Sequence, residues 1–215
     1  MPDLPVYDAV LLPPETVDAN SVLLSGSLAR LAPTEFVLET GRLYPHISLY
    51  MANFTPEQLE QATAALHEIA GATGALPLTA DHFDGNDQGM FELFYRKTEA
   101  LTRLQQELIA RLNPLRTGLR HRDPVGRVLA DHLKVAPAGA RANLERCGYD
   151  EVGAFFKPHI TCARFKQRDF SVAEAALPPV ESFTTVYTTL ALCEMGEHGT
   201  CTRVVSRAIC SSTTG

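Results

Sequence analysis

The chain has 215 residues, 45% of them hydrophobic and 20% charged, which suits an ordinary globular protein able to bury a sizeable core. Lys and Arg number 19 against 25 Asp and Glu, a formal charge of −6, and this balance disfavours a DNA or other long nucleic-acid duplex as partner. The first residues, Met-Pro-Asp-Leu-Pro, carry no basic segment followed by an apolar stretch, nothing approaches a membrane span, and five cysteines without metal-type spacing read as reduced thiols, so a soluble, cytoplasmic protein is expected.

In chain order, residues 6–12 predict a strand stopped by Pro13-Pro14, followed by a weakly amphipathic helix within 15–31. Residues 44–51 predict a second strand. Thr55-Pro56-Glu57 is a helix start, with a hydroxyl cap, proline in the first turn and an acid near the positive end of the dipole. Leu59, Ala62, Leu66 and Ile69 keep helical spacing until Gly71. Strands over 76–83 and 89–95 are joined by Asp84-Gly-Asn-Asp-Gln-Gly89, a strong turn signal. Thr98 caps a helix with Leu101, Leu104, Leu108 and Leu112 on one face, stopped at Asn113-Pro114. Asp123-Pro124 opens a short helix to about Val135, and Gly139–Cys147 is another, ending at Gly148. A strand over 157–165 precedes a closing hairpin of 183–194 and 201–210 around Met195-Gly-Glu-His-Gly199.

Consecutive hairpin signals point to antiparallel pairing, and no Pro- or Ser-rich linker divides the chain. The expected fold is therefore α+β, with residues 1–215 as a single domain.

One near-repeat stands out. Pro-His-Ile-Ser at 45–48 returns as Pro-His-Ile-Thr at 158–161. Successive side chains on a strand point to opposite faces, so His46 shares a side with Ser48 and His159 with Thr161. Ile47, Leu49, Ile160 and Cys162 then point into a core. A single His-x-Ser on a strand is ordinarily a histidine with no chemistry, but a second copy with the same proline, isoleucine and hydroxyl points to duplication with a site between the halves. By parity Tyr44 and Tyr50 share the His46 face and Lys157 the His159 face. Tyr50 and Lys157 are accordingly candidate substrate contacts. Arg164 has the opposite parity and reaches the cleft only if its strand bends or ends, which assigns it a structural role.

The two His-h-[Ser/Thr]-h motifs (h apolar), His46-Ile-Ser-Leu49 and His159-Ile-Thr-Cys162, resemble those of the two-histidine phosphoesterase superfamily. That family includes RNA 2',3'-cyclic phosphodiesterases, the bacterial proteins named for 2'-5' RNA ligase activity, and plant cyclic nucleotide phosphodiesterases. The stretch Phe156–Arg164 resembles the family's second motif with its flanks. The resemblance implies a bilobed fold of two pseudo-symmetric antiparallel-sheet β/α halves with helices outside, and a cleft between them holding the motifs. The interval containing 114–156 is longer than in compact members, which bears on substrate identity.

On this reading His46 and His159 are an acid–base pair, since an imidazole pKa near ~6.5 allows one to be neutral and the other protonated. The sequence does not say which is which. Ser48 and Thr161 hold the non-bridging oxygens of a phosphate. No cofactor or metal is called for, and His82, Asp131 and His132 have no ligand spacing. Residues 114–136 carry Arg116, Arg120, Arg122, Arg127 and Lys134 against Asp123 and Asp131, a candidate phosphate-attracting lip on an acidic protein. The expected partner is a nucleotide or an RNA end, acted on by a monomeric, metal-independent phosphodiesterase. Three alternatives stay open: 2'-5' ligation by the same groups, a non-catalytic nucleotide or RNA binder, and a metal-dependent hydrolase using the histidines as ligands.

Overall fold

A computed structural model describes residues 4–123, 126–167 and 169–211. The apolar run Val6–Leu12 forms strand β1, and the chain leaves it through Pro13-Pro14 into helix α1 (Glu15–Leu31), which buries Val17, Leu24 and Leu28. Strand β2 (Ile47–Asn53) follows, and Thr55 then caps helix α2 (Pro56–Ala72). The cap is a full capping box: the Thr55 hydroxyl accepts from the Gln58 N–H while the Gln58 side chain accepts from the Thr55 N–H.

Next come β3 (Leu76–Leu78), β4 (Ala80–Gly85) and β5 (Met90–Tyr95), then helix α3 (Glu99–Leu112), whose N-terminus is capped by Thr98. Helices α4 (Leu129–Val135) and α5 (Ala138–Cys147) follow an irregular stretch. Helix α5 ends at Gly148, whose φ of +68° is the left-handed cap that glycine adopts without strain. Strands β6 (His159–Arg164), β7 (Thr185–Tyr187), β8 (Thr189–Met195) and β9 (Cys201–Ile209) complete the chain.

The strands form one sheet in the order β2-β1-β8-β9, a second in the order β4-β5-β6, and a short β3-β7 pair, all antiparallel. The fold is thus the expected α+β arrangement. Each motif strand is the edge of its own sheet, so the motifs meet across two sheets and not within one. Helix α1, which joins β1 to β2, packs against β6, while α3, which leaves β5, packs against β2. This crossed packing locks the halves together, and one continuous apolar core runs through both.

Several expected boundaries shift. The run 76–83 is divided at Thr79, where the chain passes from one sheet to another: Leu76–Leu78 pair with β7, and Ala80 onward with β5. The run 183–194 divides likewise at Thr188. Helix α4 begins only at Leu129, and Pro124, at the expected helix start, lies outside the described residues. All five cysteines are buried, with no disulfide among them. Among the described residues no helix is long and apolar enough to cross a membrane.

Candidate active site

Strand β2 starts at Ile47, which leaves His46 at its mouth. Its Nδ1 lies 2.8 Å from the Tyr44 carbonyl, so Nδ1–H donates there and Nε2 is left for the cleft. His159 repeats the arrangement, with Nδ1 2.7 Å from the Lys157 carbonyl. In each motif, then, the carbonyl two residues earlier fixes the imidazole tautomer.

The copies agree in a second detail. Ser48 pairs with Val10 and Tyr50 with Ala9, leaving Leu49 as an extra residue, a β-bulge. Thr161 pairs with Glu92 and Ala163 with Phe91, leaving Cys162 in the same position. Each strand therefore bulges one residue after its hydroxyl, and side-chain parity reverses there.

That reversal corrects the parity assignments beyond the bulge. Tyr50 is turned into the core, 1% exposed, with its hydroxyl 3.0 Å from Asn113 Oδ1 and 3.0 Å from the Cys147 carbonyl. Met51 takes the cleft side in its place. Arg164, expected to be structural unless its strand bends, does not line the cleft, although the bulge turns it to the His159 side. Its Nη1 donates to His198 Nδ1 at 2.7 Å and its Nε to the Gln88 carbonyl at 3.2 Å. Lys157 is exposed and does not line the cleft; its contribution is the backbone carbonyl that holds His159. Tyr44 also stays outside, beneath Arg207.

His46, Ser48, His159 and Thr161 come together around one cleft of ≈ 170 Å³. The end of the insert contributes Tyr149, Asp150 and Glu151, and the turn after β8 contributes His198 and Gly199. Of the proposed basic lip, Arg120 and Arg127 line the cleft, the latter paired with Asp123. Arg116 instead donates to Asn113 Oδ1 and the Gly118 carbonyl, and Lys134 pairs with Asp131 on the surface.

The two imidazoles have opposite electrostatic surroundings. Burial lowers the pKa of His46 to about 4, helped by the charge of His159 and opposed by the Tyr44 carbonyl. Burial pulls His159 the same way, but Glu92 and Glu151 outweigh it and hold its pKa above the ordinary value. Glu92 Oε1 is 3.5 Å from His159 Nε2. Below Ser48 lies Asp8, fully buried, which accepts from the Tyr50 N–H at 3.3 Å. Burial raises its carboxyl to about 7 against the opposing influence of Ser48, Arg120 and the Tyr50 N–H.

Asp8 and Glu92 are not among the sequence candidates, and Arg120 figures there only as one of five basic residues in its segment. The carboxylates had a readable signal, since each is a lone acid inside an apolar strand run, Tyr7-Asp-Ala-Val-Leu-Leu12 and Met90-Phe-Glu-Leu-Phe-Tyr95. Nothing in the sequence sets Arg120 apart from the other basic residues around it. His82 stacks on Phe94 and bonds Asp81, while His132 faces Asp150. Among the described residues no group of three or more His, Cys, Asp or Glu side chains is disposed to hold a metal ion.

A family model described as "2'-5' RNA ligase superfamily" matches residues 24–198. The solved structure of E. coli LigT complexed with phosphate is similar at a TM-score of 0.52 and 13% identity, over 96% of this chain and 98% of that one. The E. coli LigT complex with 3'-AMP is similar at a TM-score of 0.51 and 16% identity, over 98% and 99%. The Thermus thermophilus protein TT0787 gives a TM-score of 0.53 and 18% identity, over 97% and 99%. At such identities the likeness concerns the fold. No curated protein sequence matches the chain.

Proposed function

Because this chain belongs to the 2'-5' RNA ligase superfamily, we propose that it is a metal-independent phosphodiesterase that opens a 2',3'-cyclic phosphate on an RNA end or small nucleotide. The observation that carries the reading is the pairing of two tautomer-fixed imidazoles with opposite protonation preferences on one small cleft.

His46, neutral near pH 7, is the general base: its Nε2 takes a proton from the attacking water as the new P–O bond forms. His159, protonated, is the general acid: it gives its Nε2 proton to the departing ribose oxygen as that P–O bond breaks. Ser48 and Thr161 donate to the non-bridging oxygens and stabilise the charge that builds there. A 5'-hydroxyl in place of water, giving its proton to His46 as the 5'-O–P bond forms and the 3'-oxygen departs with the proton of His159, gives 2'-5' joining; only the family's description favours that outcome. Five buried, unpaired thiols suit a reducing, cytoplasmic setting.

The test is hydrolysis of 2',3'-cyclic nucleotides and cyclic-phosphate-ended RNA in EDTA. His46→Ala and His159→Ala should each lower kcat by about 10²–10⁴-fold. Full activity in either variant would remove that histidine from the mechanism, and loss of wild-type activity in EDTA would favour a metal-dependent hydrolase.

A further inference from the structure

Next to the cleft lies a second, larger and half-open cavity of ≈ 1070 Å³, bordered by residues within 117–123 and 126–130, the start of β1, the end of β2 and the turn after β8. Arg120 and His198 belong to the walls of both cavities. At ≈ 170 Å³ the cleft is below the roughly 300–1,000 Å³ of sites that enclose a whole small molecule. It has room for a phosphate and part of a ribose, whereas the neighbouring chamber has room for a nucleotide.

Two residues of the chamber wall each carry a fully buried polar atom with no partner among the described residues, Arg120 at Nε and Asn53 at Oδ1. The Asn53 amide nitrogen donates to the Leu4 and Pro5 carbonyls at 2.7 and 3.0 Å, which fixes its oxygen on the other side. Arg120 is 4% exposed, and its Nη1 meets only the sulfur of Met51, at 3.1 Å. Its guanidinium carbon lies 5.7 Å from the centre of the Tyr149 ring. A buried guanidinium whose hydrogen bond goes to a thioether, with the buried Asp8 carboxyl as a nearby counter-charge, is costly, and a phosphate is the ligand that matches its planar fork. Position matters too. Met51 follows Ser48 at the same interval as Arg164 follows Thr161, so Arg120 brings the first motif a guanidinium that the second has in its own strand.

We propose that the chamber is a second binding pocket, for the nucleotide unit joined to the reacting one, with Arg120 holding the phosphodiester that links them. Val6 and Leu119 supply an apolar surface for base or ribose, and Arg122 adds positive charge. The proposal rests on the phosphodiesterase reading and narrows it: the substrate is an oligonucleotide end of at least two units, not a free cyclic mononucleotide.

The test compares kcat/KM for adenosine 2',3'-cyclic phosphate with that for the 3'-5' dinucleotide ApA ending in the same cyclic phosphate. The dinucleotide should be favoured by about tenfold or more in the wild type. Ala130→Trp, at an exposed position of α4 facing the chamber, should bring the ratio close to one, and Arg122→Gln should reduce it. Equal wild-type values, or a preference untouched by both variants, would overturn the chamber and leave the phosphodiesterase reading standing. If neither substrate turns over, it is that activity that fails, and the chamber is then judged by calorimetric binding of ApA 3'-phosphate against 3'-AMP. Tighter dinucleotide binding that Ala130→Trp abolishes would support the chamber; equal affinities would overturn it.

Discussion

His46 and His159 are set in near-identical tetrapeptides, with the same kind of carbonyl contact and the same following bulge, yet they differ in which proton state they favour. The difference comes from the neighbouring strand. Beside Thr161, β5 carries Glu92, whose carboxylate lies 3.5 Å from His159 Nε2, while His46 is surrounded mainly by groups that desolvate it. A shared motif is thus divided into base and acid by the groups behind it. This dictates the pH profile of kcat/KM: it should rise as His46 loses its proton near pH 4 and fall as His159 loses its proton at a pH raised above the ordinary imidazole value. Glu92→Gln removes a negative charge that favours imidazolium, so the alkaline limb should move toward lower pH while the acid limb stays. A limb that does not move would show that Glu92 does not set the acid.

At the level of elements, what the sequence revealed depended on how local the deciding interaction was. The N-termini of α2 and α3 were legible because a cap is closed within a few residues, by Thr55 with Gln58 and by Thr98 with the Leu101 N–H. Thr55→Ala should therefore cost about 1 kcal/mol of stability in urea denaturation while kcat/KM is retained; an undiminished midpoint would mean that Gln58 alone carries the helix start. Strand boundaries were less legible. Ala80 leaves β3 for another sheet because its N–H is taken by the hydroxyl of Thr184, far along the chain, and no local pattern announces that partner. The bulges at Leu49 and Cys162 were hidden for the same reason. They exist only in the register with β1 and β5, and strict alternation consequently misplaced Tyr50.

Across the whole molecule, the duplicated motif announced two halves facing one another, and the crossed packing of α1 on β6 and α3 on β2 is how that facing is enforced. What the motif could not announce is that the junction also collects buried charge, in Asp8, Glu92 and Arg120, among strands otherwise committed to the apolar core. Such groups oppose folding, and the pH dependence of stability exposes them. Asp8 is the clearest case, because burial lifts its carboxyl from the ordinary 3.8 to about 7. Its proton is held more tightly in the folded chain than in the unfolded one. The associated stability is therefore complete below the unfolded value and is lost as pH rises through the folded one. Between pH 5 and pH 8 this loss comes to roughly 2–3 kcal/mol, at 1.36 kcal/mol per unit. Asp8→Asn cannot ionise, so the free energy of unfolding of the wild type relative to that variant should fall by this amount over the interval, measured in urea at both pH values. Parallel pH dependences in the two proteins would mean that Asp8 is already ionised and compensated at pH 5, most directly by Arg120, and would identify the pair as a standing ion pair beneath the cleft.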